Sequence, residues 1–161
     1  MTVSEYNKCV DSFSDGVYRF ILHNLRDKDD SKDIVQDTFE KLWITHANVN
    51  YEKAKSYIFT TAYRTMVDKL RRAKKSAKME DYHLDTLTTE RQYSDAKQIL
   101  NEALTKLPEI QKSVIMLRDY EGYSYQEIGE ITNLNESQVK VYIYRARTFL
   151  KEYIGSVENI I

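Results

Sequence analysis

Residues that could do covalent chemistry are few in this chain and lie far apart. Its three histidines, His23, His46 and His83, are scattered, and its single cysteine, Cys9, has no evident base or metal-ligand partner near it in sequence. No glycine-rich loop is present to cradle a phosphate. That spacing gives no catalytic constellation and no metal site, so no enzyme, cofactor or small-molecule substrate is expected. What recurs at regular spacing is a different set: cations, amides, hydroxyls and aromatic rings. Their chemistry is noncovalent, hydrogen bonding to base edges and phosphates and stacking on bases.

The densest such set lies near the C-terminus. Val139, Ile143, Ala146 and Leu150 form one apolar stripe of a helix. The opposite side carries Ser137, Val141, Tyr144 and Arg145, flanked by Gln138 and Lys140. Gln and Lys read base edges, Arg reads bases or binds phosphate, and Ser and Tyr usually hold the backbone. Upstream elements must position that face. Leu107-Pro108-Glu109 begins a helix, Ile110, Val114 and Leu117 share its inner side, and Gly122 can end it in the left-handed conformation. Ser124 and Glu127 make a capping box for a short helix through Thr132, with Ile128 and Ile131 inward. Asn133-Leu134-Asn135 turns the chain, and Asn135 caps the next helix with Gln138 at its third position. A short helix, a tight turn and a longer helix with a basic outer face are the pattern of a helix-turn-helix. An ordinary helical hairpin with a solvated basic face shares that pattern.

The N-terminal half carries two further faces. Asp29 to Trp43 reads as a helix with Val35, Phe39 and Leu42 inward and Asp33, Asp37 and Glu40 outward, bordered by Gln36 and Trp43. Trp43 has two readings, a core residue or an interface anchor beside an acidic face. From about Lys55 to Lys75 a second helix buries Ile58, Phe59, Ala62, Met66 and Leu70. Its other side repeats Tyr57, Thr61, Arg64, Asp68, Arg71 and Lys75, a stripe suited to a nucleic-acid backbone with a base to stack on. Asp68 paired with Arg64 and Arg71 would serve equally as a solvated face, but the excess base at Arg71, Arg72, Lys74, Lys75 and Lys78 favours binding. The loop from His46 to Glu52 is rich in amide and aromatic side chains that could hold an unstacked base.

Composition agrees with a helical frame for these faces. One proline and four glycines in 161 residues are too few for turn-rich sheets, and 42% hydrophobic residues suffice for cores. The net charge of −1 hides strong segregation. Residues 51–79 hold nine Lys/Arg against two acids, residues 119–136 five acids and no base, and residues 137–151 four bases and no acid. Local charge of this kind decides phosphate binding. The expected architecture is all-α: a domain over residues 1–75, a flexible linker over 76–94 with a turn or two of helix near its end, and a helix-turn-helix domain over 95–161. Nothing in the polar N-terminus resembles a signal peptide, and no apolar run approaches a membrane span. The lone cysteine suits a reducing compartment, so a cytoplasmic location is expected.

Taken together the segments resemble the extracytoplasmic-function group of bacterial sigma factors over nearly the whole chain. DIVQDTFEKLW is similar to the segment that binds the clamp helices of the polymerase largest subunit, KSYIFTTAYRTMVDKLRR to the helix that opens and reads the −10 element, and residues 107–151 to the domain that reads the −35 element. The resemblance implies polymerase contacts from Asp33, Gln36, Asp37, Glu40 and Trp43. It implies −10 contacts from Tyr57, Thr60, Thr61, Arg64, Asp68 and Arg71 and from the loop around Asn48, Asn50 and Tyr51. In the −35 groove it implies Ser137, Gln138, Lys140, Val141, Tyr144 and Arg145, with Ser124 and Tyr125 near the phosphates. The implied partners are core RNA polymerase, promoter DNA and an anti-sigma protein, often membrane-bound. The chain departs from the group's usual residues at Tyr57 (tryptophan), at Arg64 (asparagine) and at the start of the recognition helix. There Ser137-Gln138-Val139-Lys140-Val141-Tyr142 replaces a common Gly-Thr-Val-Lys-Ser-Arg, so promoter sequence does not carry over.

Two other readings make different predictions. An autonomous dimeric regulator would bind palindromic half-sites without polymerase. A helical module that sequesters other proteins would tolerate charge reversal at Lys140 and Arg145.

Overall fold

Side-chain caps begin α-helices in both halves of the computed structural model, which describes residues 1–77 and 95–160. The first helix, α1 (Val3–Leu25), begins on a capping box. Thr2 Oγ1 accepts from the Glu5 amide at 3.1 Å, and the Glu5 carboxylate accepts from the Thr2 amide at 2.8 Å. It stops where Arg26 turns left-handed at φ 60°. Asp27 caps α2 (Lys28–Thr45), and Asp29 and Asp30 in its first turn oppose the positive end of the helix dipole. Two single 3-10 turns, His46–Asn48 and Tyr51–Lys53, occupy what the sequence presents as a polar loop. They lead into α3 (Ala54–Ala77). Of the expected linker 76–94, residues 78–94 lie outside the described residues, as do the helical turns expected near its end.

The C-terminal half consists of α4 (Asp95–Lys106), α5 (Glu109–Ile115), α6 (Tyr125–Thr132) and α7 (Glu136–Ile160). The helix expected to run from Pro108 to Gly122 is not uniform. After Ile115 it widens into a π turn, Met116–Tyr120, closed by the Glu121 amide on the Met116 carbonyl at 3.1 Å. Gly122 then takes φ +76°, the left-handed residue the sequence calls for.

The helices α1, α2 and α3 close around Phe20, Ile21, Leu42, Ile58, Phe59 and Met66. Helices α4 to α7 close around Leu104, Leu117, Ile128, Ile131, Val139 and Ile143. Ile34, 1% exposed, takes the core position expected of Val35, which is half-buried; Phe39 and Leu42 are buried as expected, and Ser31 and Thr38 complete the inner face of α2. Leu70, Ile110 and Leu150 are likewise half-buried at the rims. The two groups of helices also touch. α6 lies against α3 and α5 against α1, so the apolar interior is continuous from one group to the other. Among the described residues, no helix is long and apolar enough to cross a membrane.

Candidate nucleic-acid interface

The helix-turn-helix is held by short-range bonds that the sequence announces. Ser124 Oγ accepts from the Glu127 amide and Glu127 returns the bond to the Ser124 amide. Asn135 and Gln138 repeat the exchange at the start of α7, at 2.8 and 3.0 Å. Between the helices Asn133 is left-handed at φ 60°, and the Leu134 amide bonds back to the Gly129 carbonyl. With Val139, Ile143 and Ala146 buried, Ser137, Gln138, Lys140, Val141, Tyr144 and Arg145 all project outward; Tyr144 is 72% exposed. Two expected contacts are partly committed. The Gln138 carbonyl oxygen serves the cap, leaving its NH2 group to reach DNA, and the Ser124 oxygen accepts its own cap bond. Tyr125 lies under the Arg118 guanidinium at 4.5 Å, a cation the sequence did not single out. Arg147 braces α7 on the π turn through Asp119 at 2.6 Å, and that bond raises the already high pKa of the guanidinium.

On α3, Arg64 borders two adjoining cavities. One, of about 320 Å³, is lined by Ile44, Thr45, Tyr57, Thr61 and Asp68 among others. The other, of about 440 Å³, is lined by Tyr57, Thr60, Thr61, Glu127 and Glu130 among others. Tyr57 is half-buried with its hydroxyl 3.0 Å from that of Thr45, so its ring is fixed as a wall. Asp68 pairs with Arg71 at 2.8 Å, an exposed contact that DNA can replace at little cost. Asn48, Asn50 and Tyr51 line neither cavity, and Asn50 spends its side-chain oxygen on the Glu52 amide at 3.0 Å. Lys41, Thr45 and Thr65 join the first cavity without having been singled out; only the fold brings α2 beside α3.

Asp33, Gln36, Asp37 and Glu40 are exposed along one side of α2. Trp43 is 46% exposed, neither core nor loose. Its ring stacks on His46 at 4.5 Å and meets Tyr6 edge-on at 5.0 Å, while His46 Nδ1 lies 2.6 Å from the Trp43 carbonyl. The result is an aromatic platform beside carboxylates. Cys9 sits in the core, where burial pushes its thiol pKa up.

Comparison with known proteins assigns this arrangement. Residues 9–76 match the family model of sigma-70 region 2, and residues 97–150 match that of sigma-70 region 4. The chain is 34% identical over 146 residues to the RNA polymerase sigma factor SigV of Bacillus subtilis, covering 89% of this chain and 87% of that protein. The chain belongs to the extracytoplasmic-function group of RNA polymerase sigma factors. This sigma factor is also 28% identical to the ECF sigma factor SigM of the same species, over 94% of each chain. Its fold matches the sigma factor RpoE in complex with the anti-sigma factor NepR from Bartonella quintana, with TM-score 0.84 and 21% identity over 95% of this chain and 98% of that one. It also matches CnrH in complex with the cytosolic domain of CnrY, with TM-score 0.69 and 20% identity over 94% and 88% of the two chains. The all-helical, two-part architecture read from the sequence is therefore that of the family, and the autonomous dimeric regulator is not favoured.

Proposed function

We propose a division of labour for the sigma factor in which each charged face has one partner. Asp33, Gln36, Asp37, Glu40 and Trp43 dock α2 on the clamp helices of the polymerase largest subunit. Tyr57, Thr60, Thr61, Arg64, Asp68 and Arg71, with the turns bearing Asn48, Asn50 and Tyr51, capture unstacked bases of the −10 strand, so that binding offsets unpairing. Ser137, Gln138, Lys140, Val141, Tyr144 and Arg145 read −35 duplex, with Ser124 and Tyr125 at its phosphates. Residues 1–75 and 95–161 act as the two domains and 76–94 as their linker. The observation that carries this reading is the sorting of charge by face. Asp33, Asp37 and Glu40 share one side of α2, Arg64 and Arg71 one side of α3, and Lys140 and Arg145 the outer side of α7, all exposed.

The assignment makes the sigma factor a noncatalytic subunit. Each DNA face is modest alone, and affinity comes from holding both in one holoenzyme at high effective concentration. By likeness to RpoE with NepR and CnrH with CnrY, an anti-sigma protein holds it in check. Its place is the cytoplasm, at the inner membrane when that partner is membrane-bound.

The test is in vitro transcription from genomic fragments of the source organism with the matching core polymerase. Specific new start sites should appear with the protein and vanish with Trp43→Ala or Asp37→Arg. Start sites that survive both substitutions would overturn the docking face. Tight duplex binding by the protein alone, with no initiation, would restore the autonomous regulator.

A further inference from the structure

Three helices bring cations to one place. Arg19, His23 and Arg26 recur four and three residues apart, so they share one face at the C-terminal end of α1. The Ser113 hydroxyl donates to Asn24 Oδ1 at 3.2 Å, which sets α5, and with it Lys112, against that end. The Arg26 guanidinium donates to the Asn101 carbonyl at 3.1 Å, which adds α4, with Lys97 one turn before Asn101. His23 sits in the midst of them. Burial first, and then Arg26, Arg19, Lys97 and Lys112, drive it toward its neutral form.

The neighbouring carboxylates are committed elsewhere. Glu121 holds Arg19 through both oxygens, at 3.1 and 3.2 Å, and Glu109 lies 4.0 Å from Lys74. Lys112 is the unusual member of the group. It is 7% exposed, yet its ammonium makes no hydrogen bond or ion pair among the described residues. Burial and Arg26 lower its pKa, outweighing the pull of Glu109. His23 and Arg26 have an ordinary explanation, since cations oppose the dipole at the end of α1. That explanation does not reach a lysine of another helix, buried without a counter-charge at a cost in stability. Nor is the ammonium sealed in. Among the described residues only the Tyr123 hydroxyl is wholly buried without a partner, so Lys112 Nζ touches solvent through an opening.

We infer that His23, Arg26 and Lys112 form a binding site for a terminal phosphoryl group, that of free phosphate or of a nucleotide, which supplies the missing counter-charge. The donor set suits it. Arg26 keeps guanidinium N–H groups beyond the one given to Asn101, a planar fork that fits two phosphate oxygens, and Lys112 adds a point charge. A terminal phosphoryl group carries close to two charges at neutral pH and has a slim end that can reach a floor as shielded as Lys112. A phosphodiester of a nucleic-acid strand has one charge and two ester arms, and fits that floor poorly. None of the three residues belongs to the faces assigned above to polymerase or DNA, so the site stands independently of that assignment. Its residues come from separate segments of the chain, and only the fold assembles them.

Calorimetric titration of the full chain with inorganic phosphate, and separately with ATP, tests it at neutral pH and constant ionic strength set with chloride. The wild type should saturate. Lys112→Met and Arg26→Gln should each bind at least about tenfold more weakly, the scale of one lost charge-assisted bond. Lys112→Met keeps the volume and removes the unpaired charge, so without phosphate it should unfold at no lower a temperature than the wild type. Arg26 is exposed, and its variant reads the same loss without touching the core. Phosphate should raise the His23 pKa of the wild type, followed through its ring-proton resonances, and leave that of Lys112→Met unmoved. Tighter binding of ATP would assign the phosphoryl group to a nucleotide, and binding of phosphate at least as tight would assign it to the free ion; both keep the site. Lys151→Gln, which removes an exposed cation of α7, should bind as the wild type does. An equal loss there would mean unspecific attraction and would overturn the site. So would a wild type unsaturated at about 10 mM, above the millimolar range of weak specific complexes, or saturation unchanged by Lys112→Met.

Discussion

Asn24 and Ser113, 89 positions apart in sequence, share a buried hydrogen bond of 3.2 Å that joins α1 to α5. Asn24 also donates to the Phe20 carbonyl at 2.8 Å, so both polar ends of its amide are engaged. Ser113→Ala would leave the Asn24 oxygen without its donor in a dry site. We expect a loss of about 1–3 kcal/mol, the usual penalty for an orphaned buried acceptor. Thermal unfolding would register it as a fall of about 2–4 °C per kcal/mol for a chain of this size. An unchanged midpoint would show that the bond contributes nothing.

Tyr123 presents the opposite case. Its hydroxyl is the one buried side-chain polar atom among the described residues that has no hydrogen-bond partner. Burial, with Glu121 and Glu127 nearby, drives its pKa upward, so the phenol stays neutral. Tyr123→Phe keeps the ring against Phe59 and removes the orphan. The expected result in urea unfolding is a gain of up to about 1 kcal/mol, whereas Tyr123→Ala should lose about 3–5 kcal/mol through the cavity it leaves. A marked loss with Phe would mean the hydroxyl has a partner in solution.

These two residues mark the limit of what the sequence reveals. Caps are local, and Ser124 with Glu127 or Asn135 with Gln138 can be read within a few residues because the bonds span only three positions. The outer face of α7 follows from periodicity in the same way. Trp43 is different: the stripe leaves it at a boundary, and only the fold brings Tyr6 and His46 to hold it half in solvent. Tyr123 reads as one more tyrosine in an acidic, turn-forming stretch. Its burial depends on Phe59 and Lys55, which belong to the other half of the chain. The π turn was hidden because widening a helix by one residue leaves its composition unchanged.

His23 is expected to make the stability of the fold sensitive to acid. It packs beside Tyr120, with ring centres 5.6 Å apart, and Arg26, Arg19, Lys97 and Lys112 surround it. Burial first, and then these four cations, hold its pKa below the ordinary 6.5. The unfolded chain therefore takes up a proton near pH 6.5 while the folded chain still refuses it. The stabilising contribution is complete above that window, declines as pH falls through it, and is exhausted once the folded form also protonates. His23→Gln should flatten this part of the profile. Urea midpoints for both proteins, measured stepwise from pH 7.5 down to about 5 to bracket the ordinary histidine range, give the check. Parallel profiles would exclude His23 as the source.

Two glycines should respond to the same substitution with opposite signs. At Gly129 a Cβ would fall 2.6 Å from the Leu134 carbonyl oxygen, in a turn that the Leu134 amide closes by donating to the Gly129 carbonyl. Gly129→Ala must therefore push α6 and α7 apart, at an expected cost of about 1–3 kcal/mol. On the proposed −35 reading of α7 its outer face would move with the helix, so transcription should fall further than with Arg145→Ala, which removes one side chain and leaves the helix in place. At Gly155 a Cβ would meet nothing within 4 Å, and the residue lies inside α7. Gly155→Ala should raise stability by about 0.5–1 kcal/mol, the usual advantage of alanine within a helix, and leave transcription unchanged. Thermal unfolding and in vitro transcription on both variants separate the two effects. Equal losses from both would mean that α7 needs flexibility near Gly155, while a harmless Gly129→Ala would show that the turn can yield without moving the recognition helix.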